Sequence, residues 1–214
     1  MTKRVYPGGD IREHDEEPLV GLPECLPGGE RLLWQGAPDA WMLARRVLHT
    51  DLVIVWFAVI GMYRLATHWS QTGEWTWSLL AAPVLALLLA LSILMLLAWL
   101  YAKTTVYTLT NRRVTMRFGL AVQITMNIPF SRIVSADVSD FGRNIGNIAF
   151  KVEEGARVSH LVLWPNVRPW YWLSPRPMLC CVSDLGKAAE LLTGAIEDYS
   201  LQSQQEFDVG VQGI

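Results

Sequence analysis

The stretch YTLTNRRVTMRFG, residues 107–119, decides how this chain is read. Tyr107 and Leu109 alternate with Thr108 and Thr110, the chain turns at Asn111-Arg112, and Val114, Met116 and Phe118 then alternate with Thr115 and Arg117. A period of two on both sides of a polar turn predicts a β-hairpin. The stretch nevertheless follows closely on LLAAPVLALLLALSILMLLAWLY, residues 79–101, a charge-free run suited to hydrocarbon. The chain is therefore read as leaving a membrane and building a sheet at once.

The run Leu79–Tyr101 is long enough to cross, since about 20 residues at about 1.5 Å each cover the hydrocarbon core. Pro83 falls near its first turn, where a missing N–H costs least. A first span is expected in VLHTDLVIVWFAVIGMYRLAT, 47–67, with His49, Asp51 and Arg64 near its ends, within reach of headgroups. The connector HWSQTGEWTWS, 68–78, contains no Lys or Arg, whereas Arg45 and Arg46 precede the first span and Lys103, Arg112, Arg113 and Arg117 follow the second. Basic residues stay on the cytoplasmic side, so both termini are expected there. Trp69, Trp75 and Trp77 would form an aromatic belt in the outer loop, with Trp41, Trp99 and Tyr101 at the inner face. Gly61 and Ala58 are candidates for close helix packing, within the hairpin or in a homodimer.

Composition agrees with this division. Of 214 residues, 51% are apolar and only 18% charged, against about 25% charged in soluble chains. A net charge of −2 offers nucleic acid no electrostatic footprint. Cys25, Cys180 and Cys181 have neither zinc spacing nor an even number, and ordinary reduced thiols are expected. The N-terminal MTKRVYPGGDIREHDEEP shows no apolar core of a signal peptide, so no cleavage is expected.

Beyond the hairpin, Val122, Ile124, Met126 and Ile128 alternate with polar residues, and Pro129 ends the run. Strands follow near 132–138, at Ile148–Val152 and at Val158–Trp164, with a loop, SDFGRNIG, at 139–146. Six or so short strands joined by tight turns predict a small antiparallel sandwich or open barrel. Ser183-Asp184 offers an N-cap for a helix over 184–198, with Leu185, Ala188, Ala189, Leu192 and Ile196 on one face. The expected organisation is an arm over 1–40, a two-helix hairpin over 41–101, a mainly β domain with its C-terminal helix over 102–198, and a flexible tail over 199–214. GGERLLWQGAP, 28–38, could lie on the membrane surface or pack on the β domain.

This order of elements resembles the bacterial pleckstrin-homology (PH) domain membrane proteins. The resemblance is carried by a GE…LW.G.P lead-in, the apolar hairpin, YTLTNRRV, the IPFSRI strand start, the GNI strand and the terminal helix, over roughly 28–198. It implies a bent seven-strand sandwich plugged at one end by a helix. WPNVRPW followed by PRPML narrows the likeness to the PuhB family, the photosynthetic-complex assembly proteins of purple phototrophic bacteria. That narrower likeness implies a protein of the inner (intracytoplasmic) membrane that helps build the reaction centre and light-harvesting 1 complex. Its implied partners are their subunits, other photosynthetic assembly factors and membrane lipid. The family pattern leads one to expect a basic residue near Cys180, where this chain has a Cys pair.

Chemistry-bearing residues are sparse. His14, His49, His68 and His160 are scattered, no nucleophile–base pair or ligand cluster is spaced for catalysis, and neither an enzyme nor a metal centre is expected. His49 has two readings: a hydrogen-bonded interfacial residue, or a ligand to the magnesium of bacteriochlorophyll a. The Pro- and Trp-rich segment WPNVRPWYWLSPRPML, 164–179, carries Trp164, Arg168, Trp170, Tyr171, Trp172 and Arg176. Trp and Arg favour interface hot spots and headgroup level, so these six form the candidate partner-binding surface. The alternative is a Pro-stiffened connector packed on the sandwich. Arg112, Arg113 and Arg117, with Phe141 and Arg143 of the 139–146 loop, are candidate partner or lipid contacts. A strand of about 3.3 Å per residue rising from the bilayer carries Arg112 and Arg113 about 20 Å away from lipid, which favours a solvated turn or a soluble partner.

Overall fold

The computed structural model describes residues 26–120, 122–153, 163–169 and 175–212. Two sheets make the β domain. The first has the order β1-β2-β3-β4, with β1 at Leu32–Gly36, β2 at Val106–Thr110, β3 at Arg113–Phe118 and β4 at Ile124–Pro129. The second has the order β5-β6-β7, with β5 at Ile133–Asp140, β6 at Ile145–Val152 and β7 at Met178–Ser183. Every pairing is antiparallel.

The opening hairpin has the expected register, with Tyr107 opposite Met116 and Leu109 opposite Val114. Val114, Met116 and Phe118 are buried as the alternation predicts. Thr115 is also fully buried, because its hydroxyl donates to Asn127 Oδ1 across β3 and β4. The lead-in 28–38 packs on the β domain, pairing as β1 with β2. One strand, β7, lies where sequence reading placed the end of the Pro-rich connector. The strand expected at 158–164 falls mostly outside the described residues, and of its last two residues Leu163 is helical and Trp164 lies in a turn.

A short helix, α1 (Ala40–Arg46), is capped by Asp39, whose carboxylate accepts from Met42 N–H at 2.8 Å. The long apolar helices are α2 (Thr50–Thr72) and α3 (Ala81–Thr104), joined through a 3-10 turn at Trp77–Leu80. Both are long and apolar enough to cross a membrane, with mean hydropathies of 1.4 for Thr50–Thr72 and 2.8 for Trp77–Thr104. Only 6% of each hydropathy window is buried, so their apolar faces look outward. The helix α2 runs past the expected 67 because His68–Thr72 continue it, which shortens the connector to a few residues. Trp69, Trp75 and Trp77 stack there in a row, with centroids 5.8 and 6.3 Å apart. Gly61 is buried within the hairpin, where a Cβ would come 3.1 Å from Leu80 Cδ2.

The terminal helix α4 spans Leu185–Gln212 and places Leu185, Ala188, Leu192 and Ala195 in the core. It exceeds the expected 184–198, and residues expected in a flexible tail are helical through Gln212. Tyr199 explains the first added turn: its ring meets Phe130 edge-on at 5.9 Å. Glu, Gln and Leu then keep helix propensity high up to Gly210. The cap also differs from expectation. Asp184 adopts a left-handed φ of 61°, and the N-terminal amides are met by Asn144, whose carbonyl accepts from Leu185 N–H at 3.0 Å and whose Oδ1 accepts from Gly186 N–H at 2.7 Å. A residue 42 positions away supplies what the sequence offered locally through Ser183 and Asp184.

Candidate functional site

The segment 163–169 is held from inside. Leu163, Asn166 and Val167 are buried, while Trp164 is 55% exposed. Asn166 joins three elements: its Nδ2 donates to Tyr101 Oη of α3 at 2.9 Å, its Oδ1 accepts from Tyr107 Oη of β2 at 2.9 Å, and its carbonyl accepts from Met178 N–H of β7 at 2.9 Å. Tyr107 Oη also accepts from Cys180 N–H at 3.1 Å. Each of these buried groups therefore has a partner, which removes the desolvation cost of enclosing them. Burial holds Tyr107 well above the usual phenol range. The Cys pair belongs to this interior. Cys180 donates from Sγ to Pro165 O at 3.0 Å, and burial pushes both thiols up, Cys181 to about 12. A basic side chain at Cys180 would have to lose its water, which accounts for the apolar pair here.

Outside this anchor lies a groove of about 1060 Å³ between the end of α1, the start of α2, strand β5 and segment 163–169. Val47, Val138, Ala149, Pro165 and Met178 supply apolar walls, and Arg46, His49, Asp137, Trp164 and Arg168 supply polar or aromatic rims. Arg168 and Arg176 converge on Asp137, Arg168 by a close Nη1 contact and Arg176 at 3.7 Å. Arg46 lies over the Phe141 ring at 4.9 Å. The neighbouring β5 is exposed along nearly its whole length, with Val134 58% and Val138 51% accessible.

The sequence-chosen residues fall into four groups. Trp164 and Arg168 line the groove together, and Arg176 reaches the same carboxylate; Trp170, Tyr171 and Trp172 lie outside the described residues. His49 lines the groove as well, with a left-handed φ of 52° at the N-terminus of α2, and its ring makes no hydrogen bond among the described residues. Phe141 is the platform for Arg46, and Arg143 is exposed in the turn beside it. The hairpin arginines are elsewhere. Arg113 is held by buried Glu30, Nε to Oε1 at 2.8 Å and Nη2 to Oε2 at 2.9 Å. Arg112 stands at the same turn, near Gly29, and Arg117 donates to Gln123 Oε1. The turn is tied down further by Asn111, which donates to Gly29 O and accepts from Arg31 N–H. Arg113 thus fastens β1 to the sheet and is not free to take a headgroup.

Arg46, Asp137 and Asn166 were missed by sequence reading. Asn166 carried a faint signal as the one amide in WPNVRP; Asp137 carried none, because its arginines are 31 and 39 positions away. Among the described residues no group of three or more His, Cys, Asp or Glu could hold a metal ion.

Comparison with known proteins agrees with this architecture. The family model described as Bacterial PH domain matches residues 51–187. An "uncharacterized 23.7 kDa protein in puhA 5′ region" of Rhodobacter capsulatus is 37% identical over 189 residues, covering 86% of this chain and 88% of that protein. No solved structure gives a significant match. The chain belongs to the bacterial PH domain family, a family of non-catalytic modules.

Proposed function

We propose that this protein is a membrane-anchored, non-catalytic assembly factor for the photosynthetic reaction centre and light-harvesting 1 complex, which docks nascent membrane subunits. The observation that carries the reading is the relative encoded beside puhA, a gene-neighbourhood link to photosynthesis. The geometry supports it. A rigidly anchored, outward-facing Trp164 and the Asp137-centred arginines sit next to the start of α2, on a groove open to a partner. In this reading α2 and α3 span the bacterial inner membrane with both termini cytoplasmic, and the groove faces a subunit at headgroup level. Interface hot spots are enriched in Trp and Arg set in such surroundings.

A mild-detergent pull-down of the tagged protein from pigmented membranes, with proteomics and an absorbance spectrum, tests this. Reaction-centre or light-harvesting subunits should co-purify, and Trp164→Ala, alone or with Trp170→Ala and Trp172→Ala, should reduce their recovery at unchanged protein level. Recovery of unrelated envelope proteins alone would favour a generic membrane-anchored PH module. The second reading, bacteriochlorophyll a delivery, draws on the His49 ring standing in the groove without a hydrogen bond among the described residues. It requires pigment absorbance in the purified protein that His49→Leu removes.

A further inference from the structure

The carboxylates around the groove are already occupied. Asp39 caps α1, Asp51 is bound by Arg45 at 2.9 Å, and Asp137 is bound by Arg168 and Arg176. Two side chains able to carry positive charge remain in the lining. Arg46 lies over the Phe141 ring and makes no ion pair within 4 Å among the described residues, although Asp51, held by Arg45, also feels its charge. A cation–π contact does not consume a guanidinium's five N–H donors, so most stay available for an anion. His49 stands three residues on, lining the same groove. It also begins α2, whose N-terminus has no side-chain cap, so the positive end of a 23-residue helix dipole adds to the field there. The surplus in this corner is positive, while the wall beside it, from Val47 across to Trp164 and Met178, is mostly apolar.

We infer that the groove is a binding site for an anionic phospholipid of the surrounding bilayer. Its phosphate is held by Arg46 and His49, and its glycerol and upper acyl portion lie along Val47, Trp164 and Met178. Charge complementarity selects the headgroup. Position selects a lipid over a soluble anion: on the two-span reading His49 immediately precedes a spanning helix, and its neighbours from Leu52 onward face outward. Headgroup phosphates lie at that level, so an ordered lipid reaches the site without leaving the membrane. This inference requires the two-span reading and no assembly role.

The test is native mass spectrometry of the purified full chain in detergent, incubated with equal amounts of phosphatidylglycerol and phosphatidylcholine. Both lipids carry the phosphate, but only phosphatidylcholine brings a quaternary cation into the positive corner, so phosphatidylglycerol should be retained about tenfold better, and Arg46→Gln with His49→Gln should abolish the preference. Equal retention of the two lipids, or a preference that persists in the double variant, would overturn the site. Displacement by millimolar inorganic phosphate would reassign it to a soluble anion. A second measurement does not depend on the double variant folding. Phosphatidylglycerol brominated in its upper acyl chain should quench the native protein more than Trp164→Phe, and equal fractional quenching would remove Trp164 from the site.

Discussion

Replacing Glu30 with Ala tests the reading that Arg113 is a structural residue. The Glu30 side chain is 3% exposed and its carboxylate accepts from Arg113 Nε at 2.8 Å, Arg113 Nη2 at 2.9 Å and Thr110 Oγ1 at 2.7 Å. Removing one partner of a buried ion pair costs about 3–5 kcal/mol, because the other charge is left without compensation. Arg113 is 28% exposed, so water recovers some of its solvation and the expected cost drops to about 2–4 kcal/mol. Thr110 loses less, since its hydroxyl can turn to Arg113 O at 3.0 Å. For a chain of this size the loss corresponds to a fall of roughly 5–15 °C in melting temperature. Thermal unfolding in detergent gives the global effect, and hydrogen exchange at Leu32–Gly36 should show β1 loosening first. A double-mutant cycle with Arg113→Ala should give a coupling of at least about 1 kcal/mol. Additive single effects, or a Glu30→Ala protein within about 0.5 kcal/mol of the parent, would refute the ion-pair account and return Arg113 to the candidate contacts.

Three further outcomes are expected. Asn166→Ala takes the amide partner from Tyr101 Oη, whereas Tyr107 Oη keeps Cys180 N–H and O, so the variant should cost about 1–3 kcal/mol for the one group left unsatisfied, as read from urea midpoints. Gly146→Ala places a Cβ 2.1 Å from Ser139 O and 2.7 Å from Leu185 Cδ2; backbone and core must both shift, and a loss of about 1–3 kcal/mol or more should appear in the same assay. The thiols give a pH dependence. Burial raises Cys181 from 9.0 to about 12 in the folded state, so its contribution is fully present below pH 9 and is lost as pH rises towards 12. At pH 10.5 this thiol should cost about 2 kcal/mol relative to pH 8, with Cys180 shifting stability in the same direction, and alkylation of either should wait for unfolding. A urea midpoint unchanged between those two pH values would contradict their burial.

Much of the architecture was legible because it rests on periodicity. The alternation of 107–118 and the uninterrupted apolar run at 79–101 are local patterns, and each specifies which face or length must leave water. The strands β1 and β7 were harder to see. LLWQG and MLCCVS are short and unalternating, and β7 is buried along most of its length, so a two-residue period does not mark it. Trp164 and Arg168 could be chosen from residue type alone, yet their shared groove with His49 and Arg46 required the chain to fold back from two distant segments.

What the sequence determined by itself was therefore the membrane-suited hairpin, the β domain that follows it, and the amphipathic start of the last helix. These follow from solvation, residue by residue. The tertiary structure decided which charges are used up and which are left over. Glu30 takes Arg113 across 83 positions, Asp137 takes Arg168 across 31, and Asn144 caps a helix 42 positions away. Electrostatic pairing and hydrogen bonding act only over a few ångströms, so the partner of a charge is set by the fold and not by its neighbours in the chain.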